Sequence, residues 1–131
     1  MRSFALVALV AFVVAGCGGG SAGSDLYARS ATKKCFEQTL KIHSFPPVSD
    51  DFVASTASGG ALRVTLGDNN AVSILFGESA DEANNLADAY RRFRAKNVGI
   101  EDVLRTRSNA TLLWQFHPTA TDESTVDSCL K

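Results

Sequence analysis

In the middle of the chain, apolar side chains recur at every second position in two neighbouring segments. The segments are residues 61–66 (ALRVTL) and 71–76 (AVSILF), and four turn-forming residues, 67–70 (GDNN), separate them. Alternation of this kind is typical of strands with one buried face. Two such segments joined by a short turn predict an antiparallel hairpin, whose apolar face needs a cover from elsewhere in the chain.

A second hairpin is predicted nearer the C-terminus. Residues 102–107 (DVLRTR) and 110–116 (ATLLWQF) also have the character of strands, and Ser108 and Asn109 lie between them. We expect the turn at these two residues, because asparagine tolerates the left-handed backbone that a tight turn requires.

Three segments are predicted to be helices. Residues 79–97 place their apolar side chains on one stripe, and Ser79 and Glu82 have the spacing of a capping box. Residues 25–41 form an earlier amphipathic segment, and a short last helix begins at Thr121 with acidic side chains in its first turn.

The connection over residues 46–60 begins with two prolines and has little periodicity. Proline prevents the first helix from continuing, and the segment has room for a short extra strand. We expect its apolar residues Val48, Phe52 and Val53, together with the preceding Phe45, to pin it to the core.

The order helix, hairpin, helix, hairpin, helix predicts an α+β fold over residues 25–131, a length that suits one domain. The simplest packing is a four-stranded antiparallel sheet, made from the two hairpins, with the helices packed on one face. An apolar patch on the opposite face would be a site for a partner or ligand. Its expected members are Leu75 and Leu113, with Val103 or Leu104.

The start of the chain has the pattern of an export signal. Arg2 precedes ten consecutive apolar residues, Ala5–Val14. As a helix these would span roughly 15 Å, which is half of the hydrocarbon core of a bilayer. Residues 1–16 are therefore predicted to be a signal peptide that is removed.

The four residues Val14-Ala15-Gly16-Cys17 resemble the lipobox of bacterial lipoproteins. The resemblance implies that the Cys17 thiol receives a diacylglycerol group and becomes the first residue of the mature chain. It also implies a membrane-anchored location outside the cytoplasm, in the cell envelope. Residues 17–24, rich in glycine and serine, would be a flexible tether. An ordinary signal peptide cut elsewhere is the alternative.

Cysteine usage agrees with export. The chain has three cysteines, and if Cys17 carries lipid, Cys35 and Cys129 remain as an even pair in an oxidising compartment. We predict a disulfide between them. A reactive or metal-binding thiol at Cys35, with His43 nearby in the sequence, is the alternative. The arrangement also resembles small lipoproteins of actinobacteria in which two such cysteines flank two hairpins and a middle helix, a resemblance that carries no known activity.

Charge is balanced, with 13 basic and 14 acidic residues, so nothing indicates a nucleic-acid partner. Basic side chains nevertheless recur in one helix and one strand, where they could contact anionic lipid headgroups or a cell-wall polymer. They also suit a helix C-terminus and a solvated strand face. These residues are Arg91, Arg92, Arg94, Lys96, Arg105 and Arg107.

Ser30-Ala31-Thr32-Lys33 fits the S-x-x-K motif of some serine enzymes, but the second and third motifs of those enzymes are missing, and no metal-ligand spacing or cofactor fingerprint is found in the sequence. The favoured function is therefore binding, with another envelope protein, a cell-wall polymer or a small ligand as the partner. An enzyme whose active-site residues are dispersed along the chain is the alternative.

Overall fold

Five antiparallel strands form the centre of the fold, in the order β1-β2-β3-β5-β4. The computed structural model describes residues 26–67, 69–93 and 99–131. The strands are β1 (Ser44–Phe45), β2 (Ala61–Thr65), β3 (Ala71–Phe76), β4 (Leu104–Arg107) and β5 (Ala110–Trp114). The helices are α1 (Arg29–Lys34), which continues into a π-helical turn (Cys35–Thr39), α2 (Phe52–Ser55), α3 (Ala80–Phe93), α4 (Ile100–Val103) and α5 (Ala120–Cys129).

The α+β class, the antiparallel sheet and both hairpins are confirmed, but the expectation of four strands is wrong. The fifth strand is β1, whose two residues pair with β2 through Ser44 opposite Val64 and Phe45 opposite Arg63. Two residues are too few to show alternation. In the connection that follows, the described structure has the short helix α2 in place of an extra strand.

The second hairpin is shorter than predicted, because residues 100–103 form the helical turn α4 before β4 begins. Its tight turn puts Ser108 in the left-handed conformation, with φ of 49°. The turn is at Ser108 and Asn109 as predicted, but the left-handed residue is Ser108, and Asn109 is buried and 2% exposed.

Helices cover both faces of the sheet, so the expectation of helices on one face is also wrong. Every residue of β3 and β5 is buried. The first face carries alternate residues of the two strands and lies under α1 and α5; its members are Val72, Ile74, Leu112 and Trp114. We call it the terminal face. Ion pairs at its edges join Arg105 of β4 to Glu123 of α5 and Arg107 to Asp127.

The second face lies under α3, and we call it the cleft face. Its members are Ser73, Leu75, Thr111 and Leu113. The Thr111 hydroxyl donates a 2.7 Å hydrogen bond to the backbone oxygen of Ala83 in α3. The predicted patch of Leu75, Leu113 and Leu104 is therefore covered, with each side chain at most 6% exposed. Both alternating sets of β3 and β5 are apolar or small, so each face needs its own cover.

The predicted disulfide is confirmed: Cys35 in the π-helical turn is bonded to Cys129 at the end of α5. The backbone N–H of Ala28 donates to the oxygen of Lys131 at 2.6 Å, so the two ends of the described chain meet on the terminal face. Because Cys35 is bonded to Cys129, the alternative of a free or metal-binding thiol at Cys35 is wrong.

Candidate binding cleft

A cleft of about 310 Å³ opens on the cleft face, beside the C-terminal end of α3. It forms because α3 packs on β3, β5 and β4 and leaves the β2 side of this face partly open. On β2, Arg63 is half-buried and Thr65 is exposed. The segment from Val48 to Val53 forms the wall opposite α3.

The floor of the cleft is a row of paired residues that crosses neighbouring strands. Arg63 lies opposite Phe45 on one side and Ser73 on the other, and Ser73 lies opposite Leu113. The guanidinium of Arg63 donates from Nη1 to Ser73 Oγ at 3.3 Å and from Nη2 to Gln115 Oε1 at 3.0 Å. Both acceptors are neutral, so these bonds orient the guanidinium without balancing its charge.

The Asp51 carboxylate accepts two hydrogen bonds, one within its own wall and one from the opposite wall. Asp51 Oδ1 accepts from the backbone N–H of Ala54 at 2.9 Å and thereby caps α2. Asp51 Oδ2 accepts from the hydroxyl of Tyr90 in α3 at 2.8 Å. Val53, which is 4% exposed, anchors the same wall in the core. The cleft is thus defined by side chains that are already fixed in place.

Two phenylalanines stand at the mouth of the cleft. Phe52 is 68% exposed and Phe93 is 71% exposed. Their ring centroids are 6.2 Å apart in an edge-to-face arrangement. Val48 beside them is also exposed. The expectation that Val48 and Phe52 pin the connection to the core is therefore wrong, and the same holds for Phe45, which is half exposed.

Phe52 is exposed because α2 is a single short helical turn. Only one side of a single helical turn can face the core, and Val53 and Ala54 take that side. Phe52 then points outward. The sequence pattern does not show that Val53 packs in the core while its neighbour Phe52 does not. The aromatic pair Phe52 and Phe93 was therefore missed as a candidate site.

Three of the six basic residues predicted as a contact patch form ion pairs with acids. Arg91 binds Glu101 at 2.6 Å and Asp88 at 2.8 Å, and these acids raise the pKa of the Arg91 guanidinium. The same pairing lowers the pKa of Glu101. Arg105 and Arg107 are paired with acids of α5, as described above, and Arg92 is exposed on α3. Arg94 and Lys96 lie outside the described residues.

The remaining candidates do not form a second site. Nδ1 of His117 lies 2.7 Å from Asp102 Oδ1 at the surface, and His43 makes an edge contact with the ring of Phe45. Within residues 26–67, 69–93 and 99–131, no group of three or more His, Cys, Asp or Glu side chains is arranged to hold a metal ion. The lipobox residues Val14, Ala15, Gly16 and Cys17 lie outside the described residues.

Comparison of the chain with protein-family models, with curated proteins and with solved structures finds no match. In the part of the chain that the structure describes, every helix is too short or too polar to cross a membrane. The two features of the chain that bear on function are the lipobox pattern and the cleft.

Proposed function

We propose that the protein is a lipid-anchored module outside the cytoplasm that acts by binding a component of the cell envelope in the cleft. The lipobox pattern at Val14–Cys17 supports the anchor, and the Cys35–Cys129 disulfide agrees with an oxidising compartment. The envelope component is a protein, a polymer or a small ligand.

The exposed pair Phe52 and Phe93 is the main observation in favour of a binding site at the cleft. Exposed apolar surface beside a concave site is typical of an interaction site. Covering one phenylalanine completely contributes about 2 kcal/mol through the hydrophobic effect. The pair therefore contributes at most about 4 kcal/mol to holding a ligand, and walls that need little rearrangement keep the cost of ordering the site low.

The polar groups of the walls favour binding over the enzyme alternative. Both oxygens of the Asp51 carboxylate accept structural hydrogen bonds, from Ala54 and from Tyr90. A catalytic base must be free to take a proton from substrate. Asp51 and Tyr90 are instead committed to each other.

The position of the cleft is compatible with the anchor. The described chain begins at Leu26, just before α1, and α1 lies on the terminal face. The cleft is on the opposite face of the sheet. A tether that leads to α1 therefore leaves the mouth of the cleft accessible.

The anchor is tested by mass spectrometry of the mature N-terminus. We expect the native chain to begin at Cys17, to carry acyl groups and to fractionate with membranes. A Cys17→Ser variant should lose both the added mass and the membrane association. A native product that is soluble and has no acyl group would contradict the anchor.

The binding site is tested with a double variant, Phe52→Ser with Phe93→Ser. Wild-type and variant proteins are recovered from detergent-solubilised membranes, and co-purifying molecules are quantified. We expect a component whose recovery falls at least about tenfold in the double variant, since anchor residues of this kind dominate binding. Phe116→Ser is the control, because Phe116 is 58% exposed but does not line the cleft. Equal recovery with all three proteins would contradict a binding role for the cleft.

A further inference from the structure

We infer that the ligand of the cleft is an amphiphile with one negative charge, in which a carboxylate or phosphodiester head is joined to an apolar body. This inference depends on the proposed binding function and specifies its ligand class. The inference is based on the position of the Arg63 guanidinium, which lies on the floor of the cleft that the exposed Phe52–Phe93 pair also lines.

Arg63 has hydrogen-bond donors without a partner among the described residues. A guanidinium has five N–H donors, and Ser73 and Gln115 take one each. No carboxylate in the described ranges lies within ion-pair distance of Arg63, although it lies half-buried in the cleft. The planar fork of an arginine matches a carboxylate or phosphate in a two-bond arrangement. Two hydrogen bonds thus hold the Arg63 guanidinium in place, and its positive charge has no anionic partner among the described residues.

Two aspartates near Arg63 limit the charge that a ligand can carry. Asp50 and Asp51 also line the cleft. Asp51 is held by Ala54 and Tyr90, and Asp50 is exposed to solvent. Their negative charges repel anions at longer range. This repulsion grows with the charge of the ligand, so a single oxyanion that pairs with Arg63 is favoured over a polyanion.

The cleft also has an apolar part, which suits the apolar body of the ligand. Leu113 on the floor and the two phenylalanine rings at the mouth form the apolar part of the cleft. A volume of about 310 Å³ is at the lower end of the range for small-molecule sites. It suits a small ring system or a short acyl segment, while the rest of a larger ligand extends past Phe52 and Phe93.

Three matched compounds test this inference: 2-naphthoate, methyl 2-naphthyl phosphate and the neutral 2-naphthamide. They are titrated into the mature chain carrying Cys17→Ser, and the backbone amide signals are followed by NMR. We expect one or both anions to shift the signals of Arg63, Ser73 and Phe93. The neutral amide should bind at least about tenfold more weakly, since charge-assisted hydrogen bonds are the stronger ones. Comparison of the two anions distinguishes a carboxylate from a phosphodiester head.

The variant Arg63→Gln should weaken binding of the anion about tenfold or more, to the level of the neutral amide. Arg29→Gln is the matched control, because Arg29 is an exposed arginine on α1, on the other side of the sheet. Thermal unfolding of both variants verifies that they are folded. Raising the salt concentration should weaken binding of the anions and leave the neutral amide unchanged.

Equal affinities for the anions and the amide would overturn the anionic head. Binding of the anions that is unchanged by Arg63→Gln would overturn the role of Arg63. If none of the three compounds binds, or if the shifted signals lie on the terminal face, the ligand class is wrong. The proposed binding function has a separate readout, the loss of a native component in the phenylalanine double variant, so each proposal can fail without the other.

Discussion

The side-chain amide of Asn109 pairs with the backbone of Tyr27 in the way that one strand pairs with another. Asn109 Oδ1 accepts from the Tyr27 N–H at 2.7 Å, and Asn109 Nδ2 donates to the Tyr27 carbonyl at 2.9 Å. Nδ2 also donates to the carbonyl of Gly77 at 2.7 Å. One buried side chain thus joins the turn of the second hairpin to the entry of α1 and to the end of β3.

We predict that Asn109→Asp lowers the free energy of unfolding by about 2–4 kcal/mol. The substitution keeps the shape but removes both donors, and it brings a negative charge against two carbonyl groups. Urea unfolding followed by the fluorescence of Trp114, the one tryptophan of the chain and fully buried, measures the change. Asn84→Asp on the exposed side of α3 is the control and should change stability by less than about 0.5 kcal/mol. A similar loss in both variants would show that the Asn109 network is unimportant.

The docking of α3 on the cleft face predicts a difference between two paired threonines. Thr111 and Thr106 lie opposite each other on β5 and β4, but Thr111 is buried against α3 and Thr106 is exposed. Thr111→Val should destabilise the protein by about 1 kcal/mol, because the bond to the Ala83 oxygen is lost. Thr106→Val should be close to neutral, since both residues are β-branched and suit a strand. Equal effects of the two substitutions on the urea midpoint would contradict this docking.

The disulfide should account for a large share of stability. Cys35 and Cys129 are 94 positions apart, and closing a loop of that size stabilises the folded state by about 4.7 kcal/mol in the chain-entropy model. We expect the double variant Cys35→Ser with Cys129→Ser to lose on the order of 4 kcal/mol in urea unfolding. Cys17→Ser, which lies outside the loop, should lose nothing. A reducing agent should lower the stability of the native chain and leave the double variant unchanged. A native chain insensitive to reduction would be the contrary result.

The carboxylate of Glu37 should make stability depend on pH in acid. Lys33 and Ser44 donate hydrogen bonds to it and lower its pKa from the ordinary value of 4.5 to about 2. Because the folded-state pKa is the lower one, the stabilisation is fully present above about pH 4.5 and is lost as the pH falls through about 2. Wild type should therefore exceed Glu37→Gln in urea midpoint at neutral pH, and the two should converge near pH 2.

An NMR titration of the Glu37 side-chain carbon measures the pKa directly. Ser44→Ala should raise the pKa from about 2 towards its ordinary value, because one of the two donors is removed. Glu78→Gln is the control for the stability series, since Glu78 is an exposed glutamate outside this cluster. A constant difference between wild type and Glu37→Gln from pH 7 to pH 2 would contradict the role of Glu37.

Local sequence patterns predict much of the fold. The alternation in 61–66 and 71–76, with turn residues between them, is enough to predict the first hairpin. The Ser79–Glu82 spacing is enough to locate the start of α3, where the Glu82 N–H donates to the Ser79 hydroxyl at 3.1 Å. The number of cysteines and the export signal together predict the Cys35–Cys129 pair. Each of these features depends on residues that are close in sequence or on a simple count.

Other features depend on contacts between distant segments and were not predicted. The segments AVSILF and ATLLW are apolar on both alternating faces, so local pattern alone does not say which face α3 covers. The strand β1 consists of two residues and exists because β2 offers an unpaired edge. Asn109 lies in the turn as predicted, but no local pattern indicates the approach of Tyr27 and Gly77 that makes its side chain a buried bridge.

The α+β class, the two hairpins and the main helix follow from local patterns, because periodicity, turn chemistry and capping act over a few residues, and the disulfide followed from a cysteine count. Contacts between distant segments decide that helices cover both faces, that three of the six predicted basic side chains are paired with acids, and that Phe52, Phe93 and Arg63 converge on one cleft. Phe52 lies 11 positions before Arg63 and Phe93 lies 30 positions after it, and no local pattern relates the three. They meet only because α3 covers part of the sheet and leaves β2 open beside its end.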